Sequence, residues 1–273
     1  MVRYFNTEGS CKPEKHYMVR LDDRLAHIKK MLVDREKYFV INRGRQYGKT
    51  TTLRALGEYL KEDYIVLSLD FQMMGTKEFS DEVAFSHSFM DDILKALHGM
   101  DMAGKEKLEE ALLETVTDNL KFGLKELFLG LSNMCKYSRH PIVLMIDEVD
   151  SASNNQVFID FLAQLRAYYL RRDDTPIFHS VILAGVYDIR NLKLKQRSEM
   201  ERQYNSSWNI AADFDIEMSF SADQIASMLK EYEADYHTGM DVCAVSEGIY
   251  EYTSGYPVLV SAICKRIDEK ILG

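Results

Sequence analysis

The segment from residue 38 to residue 52 constrains the fold more than any other stretch of this chain. It reads YFVINRGRQYGKTTT, an apolar run followed by a basic turn with two glycines and a polar helix start. The leucines that follow recur at helical spacing, as Leu53, Leu56 and Leu60. The first N–H groups of a helix have no acceptor within it, and the helix dipole favours an anion beside them. The segment therefore predicts a strand, a phosphate-binding loop and a helix, in that order.

Two side chains of this loop suit a nucleoside triphosphate and its metal ion. Lys49 is placed to reach the β and γ phosphates, and the Thr50 hydroxyl is placed to ligate Mg²⁺. We expect the phosphates to be surrounded by these residues: Arg43, Gly44, Arg45, Gln46, Tyr47, Gly48, Lys49, Thr50 and Thr51. An incidental strand-to-helix turn is the alternative.

One position departs from the usual loop pattern. The pattern G-x-x-x-x-G-K-[ST] has a glycine at position 43, where this chain has Arg43. Arg43 and Arg45 either add positive charge around the phosphates and shape the loop, or lie exposed on the surface. The residues alone leave both roles open.

A second motif follows a buried-type strand at residues 141 to 146. This run, PIVLMI, shows no alternation, which is typical of a strand covered on both faces in a parallel sheet. Asp147 and Glu148 follow it, at the strand end where open α/β sheets bind ligands. We expect Asp147 to hold Mg²⁺ and Glu148 to activate the water that attacks the γ phosphate. The alternative is a buried strand that ends in solvated acids.

Two further apolar runs predict strands, at residues 64 to 71 and 177 to 186. Tyr187 and Asp188 follow the second run, where a polar sensor could sit, although a simple strand-ending turn is equally consistent. Residues 80 to 138 carry helical periodicity with a break at residues 99 to 104, which predicts two or three helices. These helices are either a crossover packed on the sheet or a partner-binding surface.

The ends of the chain are also patterned. Residues 24 to 34 predict an amphipathic helix, and residues 214 to 220 alternate like a last strand. Ser221 with Gln224 predicts a capped helix start. Three helices are expected after it, over residues 225–236, 242–253 and 257–271.

Composition limits the function classes. The chain has 273 residues, of which 46% are hydrophobic, enough for one large α/β domain with a small appendage. The net charge of -9 argues against nucleic-acid binding through overall charge. The four cysteines lack any C-x-x-C spacing, which leaves zinc and redox motifs unsupported. No signal-peptide core or membrane-spanning run is present in the sequence, so we expect a cytoplasmic protein without membrane contact.

A basic cluster occupies residues 190 to 202, with five lysines and arginines and few acids. It has three readings: an arginine finger for a neighbouring subunit, a nucleic-acid contact, or a solvated loop and helix. The sequence does not decide among them.

Three segments together resemble a known family. RGRQYGKT at 43–50, IDEVD at 146–150 and VILAGVYD at 181–188 are similar to the AAA-like ATPase domains of bacteria, related to the signal-transduction ATPases with numerous domains. The resemblance implies that a basic residue at position 43 is a family trait. It also implies a three-layer α/β fold with a mostly parallel five-stranded sheet, the strand at 177–186 inserted between the two motif-bearing strands. The core would span residues 1–220 and a helical lid residues 221–273.

The resemblance adds two nucleotide contacts. His16 and Tyr17 would stack on the adenine, or would instead pin the N-terminal arm to the domain. Pro257, in the sequence Gly255-Tyr256-Pro257, matches a lid signature that approaches the nucleotide. The alternative for this triplet is a glycine that ends one helix and a proline that begins the next.

The activity implied is ATP binding and Mg²⁺-dependent hydrolysis, as a regulated switch. Lys49 would stabilise phosphate charge, Glu148 would activate water and Asp188 would sense the nucleotide. Turnover would be slow until a protein partner or a second copy of the chain completed the site. The rival classes are a non-hydrolysing scaffold gated by nucleotide, a small-molecule kinase, and an ATP-dependent DNA-handling helper in mobile-element or defence systems.

Overall fold

The computed structural model describes residues 3–116, 121–186 and 208–272, and within them four parallel strands form one sheet. The strands are β1 Tyr38–Asn42, β2 Ile65–Asp70, β3 Ile142–Asp147 and β4 Ser180–Gly185. Their order in the sheet is β1-β4-β3-β2. Every residue of β3 and β4 is buried, as expected when helices cover both faces of a parallel sheet. The predicted α/β class is confirmed, and so is the insertion of β4 between the two motif-bearing strands.

Strand register brings the carboxyl ends of the strands to one edge of the sheet. Asn42, the last residue of β1, pairs with Gly185, the last residue of β4. On the other side of β4, Leu183 pairs with Ile146. Asp147 therefore ends β3 at the same edge from which the chain leaves β1.

Apart from the helix at Gln156–Tyr169, which was not predicted, the described helices agree with the periodicity of the sequence. Their bounds are α1 Asp22–Ile28, α2 Lys49–Leu60, α3 Glu82–His98, α4 Lys105–Leu113, α5 Leu124–Tyr137, α6 Gln156–Tyr169, α7 Ala222–Tyr236, α8 Val242–Thr253 and α9 Pro257–Leu272. A π-helical turn, Lys29–Val33, continues α1, and single 3-10 turns lie at Phe71–Met73 and Val149–Ser151.

Helix boundaries confirm the predicted caps and breaks. Gly99 is the C-cap of α3, and Gly104 is the N-cap of α4, with a φ of 87°. The Ser221 hydroxyl accepts a hydrogen bond from the Gln224 N–H, and the Gln224 side chain accepts one from the Ser221 N–H. These reciprocal bonds satisfy two donors that a bare helix start would leave without acceptors.

Tertiary contacts divide the chain into two compact units. The sheet unit comprises Lys29–Asn42 and Gly57–Phe214. The second unit, called the lid unit after the predicted lid helices that it contains, comprises Met1–Ile28, Arg43–Leu56 and Asp215–Gly273. The phosphate-loop segment is thus grouped with the N-terminal arm and the C-terminal helices, and α2 crosses from one unit into the other.

An aromatic core joins the helical insertion to the strands of the sheet unit. The Phe161 ring lies 5.4 Å from that of Phe85 and 4.8 Å from that of Phe89, measured between ring centroids. Phe128 of α5 lies 5.4 Å from Phe161 in the same way. All of these rings belong to one buried cluster with residues of β1 to β4. The insertion is therefore a crossover packed on the sheet.

A separate core holds the lid unit together. Phe5 and Tyr17 of the arm pack with Tyr232 of α7, at centroid distances of 5.1 Å and 5.3 Å from its ring. The cluster continues through Ile249 of α8 and Val260 of α9.

The prediction of a fifth sheet strand at residues 214–220 is wrong. Residues 214–220 pair with no strand among the described residues, and the isolated bridge between Phe39 and Ala212 lies just before them. The alternating pattern is real, because Phe214 and Met218 are buried while Asp215 and Glu217 are exposed. Alternation reports which side chains are covered and not whether a neighbouring strand pairs with the backbone.

Side chains satisfy the backbone of this segment instead of a ladder. The Arg24 guanidinium donates to the carbonyl of Met218 at 3.1 Å. The Glu217 carboxylate accepts from the N–H groups of Ser219 at 2.7 Å and Met218 at 2.8 Å. Those bonds hold the pKa of Glu217 below its ordinary value, the Ser219 N–H having the largest effect.

Two adjacent residues of α5 provide a test of the aromatic core. Phe128→Ala should lower the free energy of unfolding by about 3–5 kcal/mol, because the Phe128 side chain is fully buried against Phe161 and Tyr168. Leu129→Ala is the matched control, since Leu129 is 51% exposed, and it should change stability by less than about 0.5 kcal/mol. Urea unfolding followed by circular dichroism measures both, and equal losses would contradict the packing described.

Candidate nucleotide-binding site

The loop between β1 and α2 is short and sharply turned. Gln46 and Gly48 adopt left-handed conformations, with φ of 61° and 76°. A Cβ on Gly48 would meet no atom within 4 Å, so the backbone conformation alone favours glycine there. These turns let α2 begin at Lys49, directly after the loop.

Lys49 is buried at the start of α2 and points into the loop. Lys49 is 7% exposed, and its Nζ donates to the carbonyls of Arg43 at 2.9 Å and Gly44 at 3.0 Å. Both acceptors are neutral, whereas hydrogen bonds between an ammonium and a charged oxygen are about twice as strong. The ammonium therefore lies where a phosphate oxygen would be a better partner than the loop carbonyls.

The threonines of the first turn of α2 have different surroundings. Thr50 is half-buried in this turn. The Thr51 hydroxyl accepts a hydrogen bond from the Cys11 N–H at 3.1 Å, which ties the N-terminal arm to the helix. The phosphate contact expected of Thr51 stays a prediction, and its hydroxyl has this second partner in the arm.

Arg43 and Arg45 differ in environment. The half-buried Arg43 donates from Nη2 to the carbonyl of Ile216 at 3.1 Å. Arg45 is exposed, and its carbonyl accepts a hydrogen bond from the Tyr256 hydroxyl at 2.6 Å. Of the two roles open for Arg43, these contacts support the shaping of the loop, while the Arg45 side chain is exposed.

In the sheet unit, β3 ends in the two predicted carboxylates. Asp147 is 8% exposed, and its Oδ1 accepts a hydrogen bond from the Glu148 N–H at 2.9 Å. Glu148 is half-buried and left-handed, with a φ of 52°. A non-glycine residue in this region carries backbone strain, and such strain is concentrated at functional sites.

Asp150 and its neighbours join the ends of three strands. Asp150 Oδ2 accepts a hydrogen bond from the Val186 N–H, just beyond β4. The Ser151 hydroxyl donates to the carbonyl of Phe71, just beyond β2, at 3.1 Å. A Cβ on Gly185 would lie 3.0 Å from Asp150 Oδ1, so the close approach at the end of β4 favours glycine. Sequence reasoning missed this role of Asp150, although a third acid two positions after Glu148 was a visible signal.

The remaining sensor prediction falls outside the described part of the chain. Tyr187 and Asp188 lie in residues 187–207, and so does the basic cluster at 190–202. The sensor role of Asp188 stays a prediction.

His16 and Tyr17 are both buried within the N-terminal arm and its packing. The Tyr17 hydroxyl donates to the Asp235 carboxylate at 2.7 Å, and the Arg3 guanidinium lies 4.6 Å from the centre of the Tyr17 ring. His16 Nδ1 accepts from the Lys12 N–H at 2.9 Å, and burial lowers the pKa of the imidazole. These contacts support pinning of the arm, the second of the two roles considered.

In the sequence Gly255-Tyr256-Pro257, the middle residue contacts the phosphate loop. Pro257 is buried as the first residue of α9, a position that suits proline because the missing N–H would have no helical acceptor. Tyr256 contacts the loop through its hydroxyl, and its ring centroid lies 4.7 Å from that of Tyr47. Tyr256 is the contact that the sequence did not single out.

The candidate metal ligands have suitable chemistry. The Thr50 hydroxyl and the Asp147 carboxylate are hard oxygen donors, the kind that Mg²⁺ prefers when phosphate oxygens and water complete its shell. Among the described residues, no group of three or more histidines, cysteines and acids is arranged to hold a metal by itself. Each of the two donors by itself has the chemistry of a ligand for a metal that arrives with a triphosphate.

Comparison with known proteins gives one family match and one structural likeness of note. The model of the AAA-like domain family matches residues 9–271. No curated protein matches the chain. The crystal structure of Cdc6p from Pyrobaculum aerophilum is similar with a TM-score of 0.49 and 16% identity, over 82% of this chain and 52% of that chain. This chain therefore spans about half the length of that protein.

Among the described residues, every helix is too short or too polar to cross a bilayer.

Two left-handed glycines of the lid unit test the packing behind Tyr256. A Cβ on Gly255 would lie 1.9 Å from the Phe220 carbonyl oxygen, whereas one on Gly239 would meet nothing within 4 Å. Gly239→Ala should lower the free energy of unfolding by about 1–2 kcal/mol, the cost of a left-handed alanine. Gly255→Ala should lose roughly a further 1–3 kcal/mol through the clash. Guanidinium denaturation measures both, and equal values would show that Phe220 moves aside at no cost.

Proposed function

Because the chain belongs to the AAA-like domain family, we propose that it binds ATP with Mg²⁺ and hydrolyses it as a regulated switch. The observation that carries the proposal is the order of the sheet. The strand that leads into the loop and the strand that ends in Asp147 have their carboxyl ends at one edge, with only β4 between them. Open α/β sheets bind ligands at such an edge.

Binding rests on the loop and the start of α2. Lys49 would exchange its bonds to the Arg43 and Gly44 carbonyls for bonds to phosphate oxygens. The first N–H groups of α2 would donate to the same phosphates, with the helix dipole favouring their charge. Thr50 and Asp147 would hold Mg²⁺, which when bound neutralises charge on the phosphates.

Hydrolysis would depend on Glu148. Its carboxylate would orient a water molecule and accept its proton as the water oxygen bonds to the γ phosphorus. The bond between that phosphorus and the β–γ bridging oxygen breaks, and ADP and phosphate leave. Lys49 would stabilise the charge that develops on the phosphate oxygens.

The proposal includes regulation because the described residues do not identify the arginine that completes such sites. The candidates, Arg190, Arg197 and Arg202, lie outside the described residues, and a protein partner or second copy of the chain could supply the group. Of the rival classes, a small-molecule kinase is less well supported, because paired Asp147 and Glu148 favour water as the nucleophile. A non-hydrolysing scaffold is separated from the proposal by turnover, and a DNA-handling role gains no support from the described residues.

Lys49→Ala should weaken Mg²⁺-ATP binding about 10- to 100-fold, since it removes a charge-assisted bond worth about 1.5–3 kcal/mol. Lys61→Ala is the matched control, because the Lys61 side chain is 60% exposed and distant in the sequence from the loop. Isothermal titration calorimetry measures both. Unchanged affinity in Lys49→Ala, beside a wild type that binds, would remove the loop as the phosphate site.

Glu148→Gln should keep ATP affinity within about twofold and lower phosphate release about 10²- to 10⁴-fold, the usual contribution of a general base. Glu251→Gln is the control, because Glu251 is exposed on α8. Single-turnover release of labelled phosphate is the measurement. A wild type that binds ATP yet releases phosphate no faster than Glu148→Gln would favour the non-hydrolysing scaffold.

A further inference from the structure

Two side-chain hydrogen bonds link the phosphate loop to other parts of the lid unit. The Arg43 guanidinium reaches the chain just before α7, and the Tyr256 hydroxyl reaches the loop from the turn between α8 and α9. We propose that Tyr256 and Arg43 are positioning residues that set the conformation of the loop and couple it to the lid helices. The expected effect on ATP affinity rests on the proposed function. The effect on the conformation of the loop does not.

The Tyr256 contact is short and supported by a second aromatic ring. The hydroxyl donates to the Arg45 carbonyl at 2.6 Å, at the short end of the range for such bonds. The Tyr47 ring lies 4.7 Å away, at an interplanar angle of 46°. Two successive stretches of the loop, at Arg45 and at Tyr47, are thus held by one lid side chain.

The backbone around Tyr256 is itself fixed. The Gly255 carbonyl accepts from the Phe220 N–H at 2.8 Å, and the Gly255 N–H donates to the Thr253 hydroxyl at 3.1 Å. On the other side, α9 begins at Pro257. Tyr256 therefore lies in a turn that is hydrogen-bonded both to α8 and to the segment that leads into α7. These bonds restrict the positions that its hydroxyl can take.

Arg43 provides the second tether, and it explains why arginine suits this position. A glycine at position 43 would have no side chain to reach the Ile216 carbonyl, 3.1 Å from Arg43 Nη2. The stretch it reaches is anchored in turn by Arg24, whose guanidinium bonds to the Met218 carbonyl and lies 5.9 Å from the centre of the Phe220 ring. The departure from the usual loop pattern thus creates a connection between the loop and the base of the lid.

The tethers bracket the carbonyls that Lys49 uses. Nζ of Lys49 bonds to the carbonyls of Arg43 and Gly44. Arg43 is itself one tether, and the next residue after Gly44 is Arg45, whose carbonyl Tyr256 holds. A phosphate that draws Lys49 away from these carbonyls would change the stretch of loop that both tethers hold. The lid helices would consequently respond to phosphate occupancy through Tyr256 and Arg43.

The test compares two tyrosines of the lid. Tyr256→Phe keeps the ring and removes the hydroxyl, and Tyr252→Phe is the control because Tyr252 is 86% exposed on α8. The first measurement is amide hydrogen exchange of residues 44–50 in the full chain without nucleotide. Exchange should be about 2- to 10-fold faster in Tyr256→Phe than in wild type, as expected for loss of one neutral hydrogen bond, and unchanged in Tyr252→Phe.

The second measurement is Mg²⁺-ATP affinity for the same proteins and for Arg43→Met, which keeps the aliphatic stem. Affinity should fall about 2- to 10-fold in Tyr256→Phe and Arg43→Met, with Arg43→Lys restoring part of it. A role confined to stability would lower the melting temperature of both variants while loop exchange and affinity stayed at control values, and would overturn the proposal.

The two proposals fail separately. Faster loop exchange in Tyr256→Phe, together with a wild type that does not bind ATP, would uphold the positioning role and refute the proposed function. A wild type that binds ATP, with loop exchange and affinity unchanged in Tyr256→Phe, would refute the positioning role and leave the proposed function in place.

Discussion

Parallel pairing of β4 with a strand on each side is the interaction on which the arrangement of the sheet unit depends. Because β4 pairs with β1 at Val181 to Gly185 and with β3 at Ser180 to Leu183, it fixes how far each neighbour extends. A slip of one residue in either register would turn every side chain of that strand to the opposite face. The point where the loop leaves β1 and the acids that end β3 are consequently placed by burial and backbone hydrogen bonds, before any contact with a ligand.

The lid unit satisfies its backbone in another way. Within the described part of the chain no ladder forms at residues 216–220, and Arg24, Arg43 and the Glu217 carboxylate supply hydrogen bonds to the backbone that a neighbouring strand would have supplied. Burial lowers the pKa of Arg24, and the carboxylate of Glu217 acts in the opposite direction. Charged side chains thus take the place of a sheet edge in the segment that carries the chain into α7.

Patterns governed by local chemistry were readable from the sequence. Uninterrupted apolar runs predicted β2, β3 and β4 to within a few residues, and Ser221 with Gln224 predicted the start of α7. The contacts that were missed are hydrogen bonds between a side chain and a backbone group distant in the sequence. The bond of Arg43 to Ile216 and that of Tyr256 to Arg45 each join residues more than 170 positions apart. The role of Asp150 likewise depends on a strand end that arrives 36 residues later.

The left-handed backbone of Glu148 has a consequence for how the protein would change under selection. Glycine and asparagine occupy a φ of 52° more readily than glutamate, so replacing Glu148 by either would relieve local strain. Selection for heat tolerance alone would accordingly favour the loss of this carboxylate. If related proteins keep glutamate at this position despite the strain, the carboxylate itself is under selection.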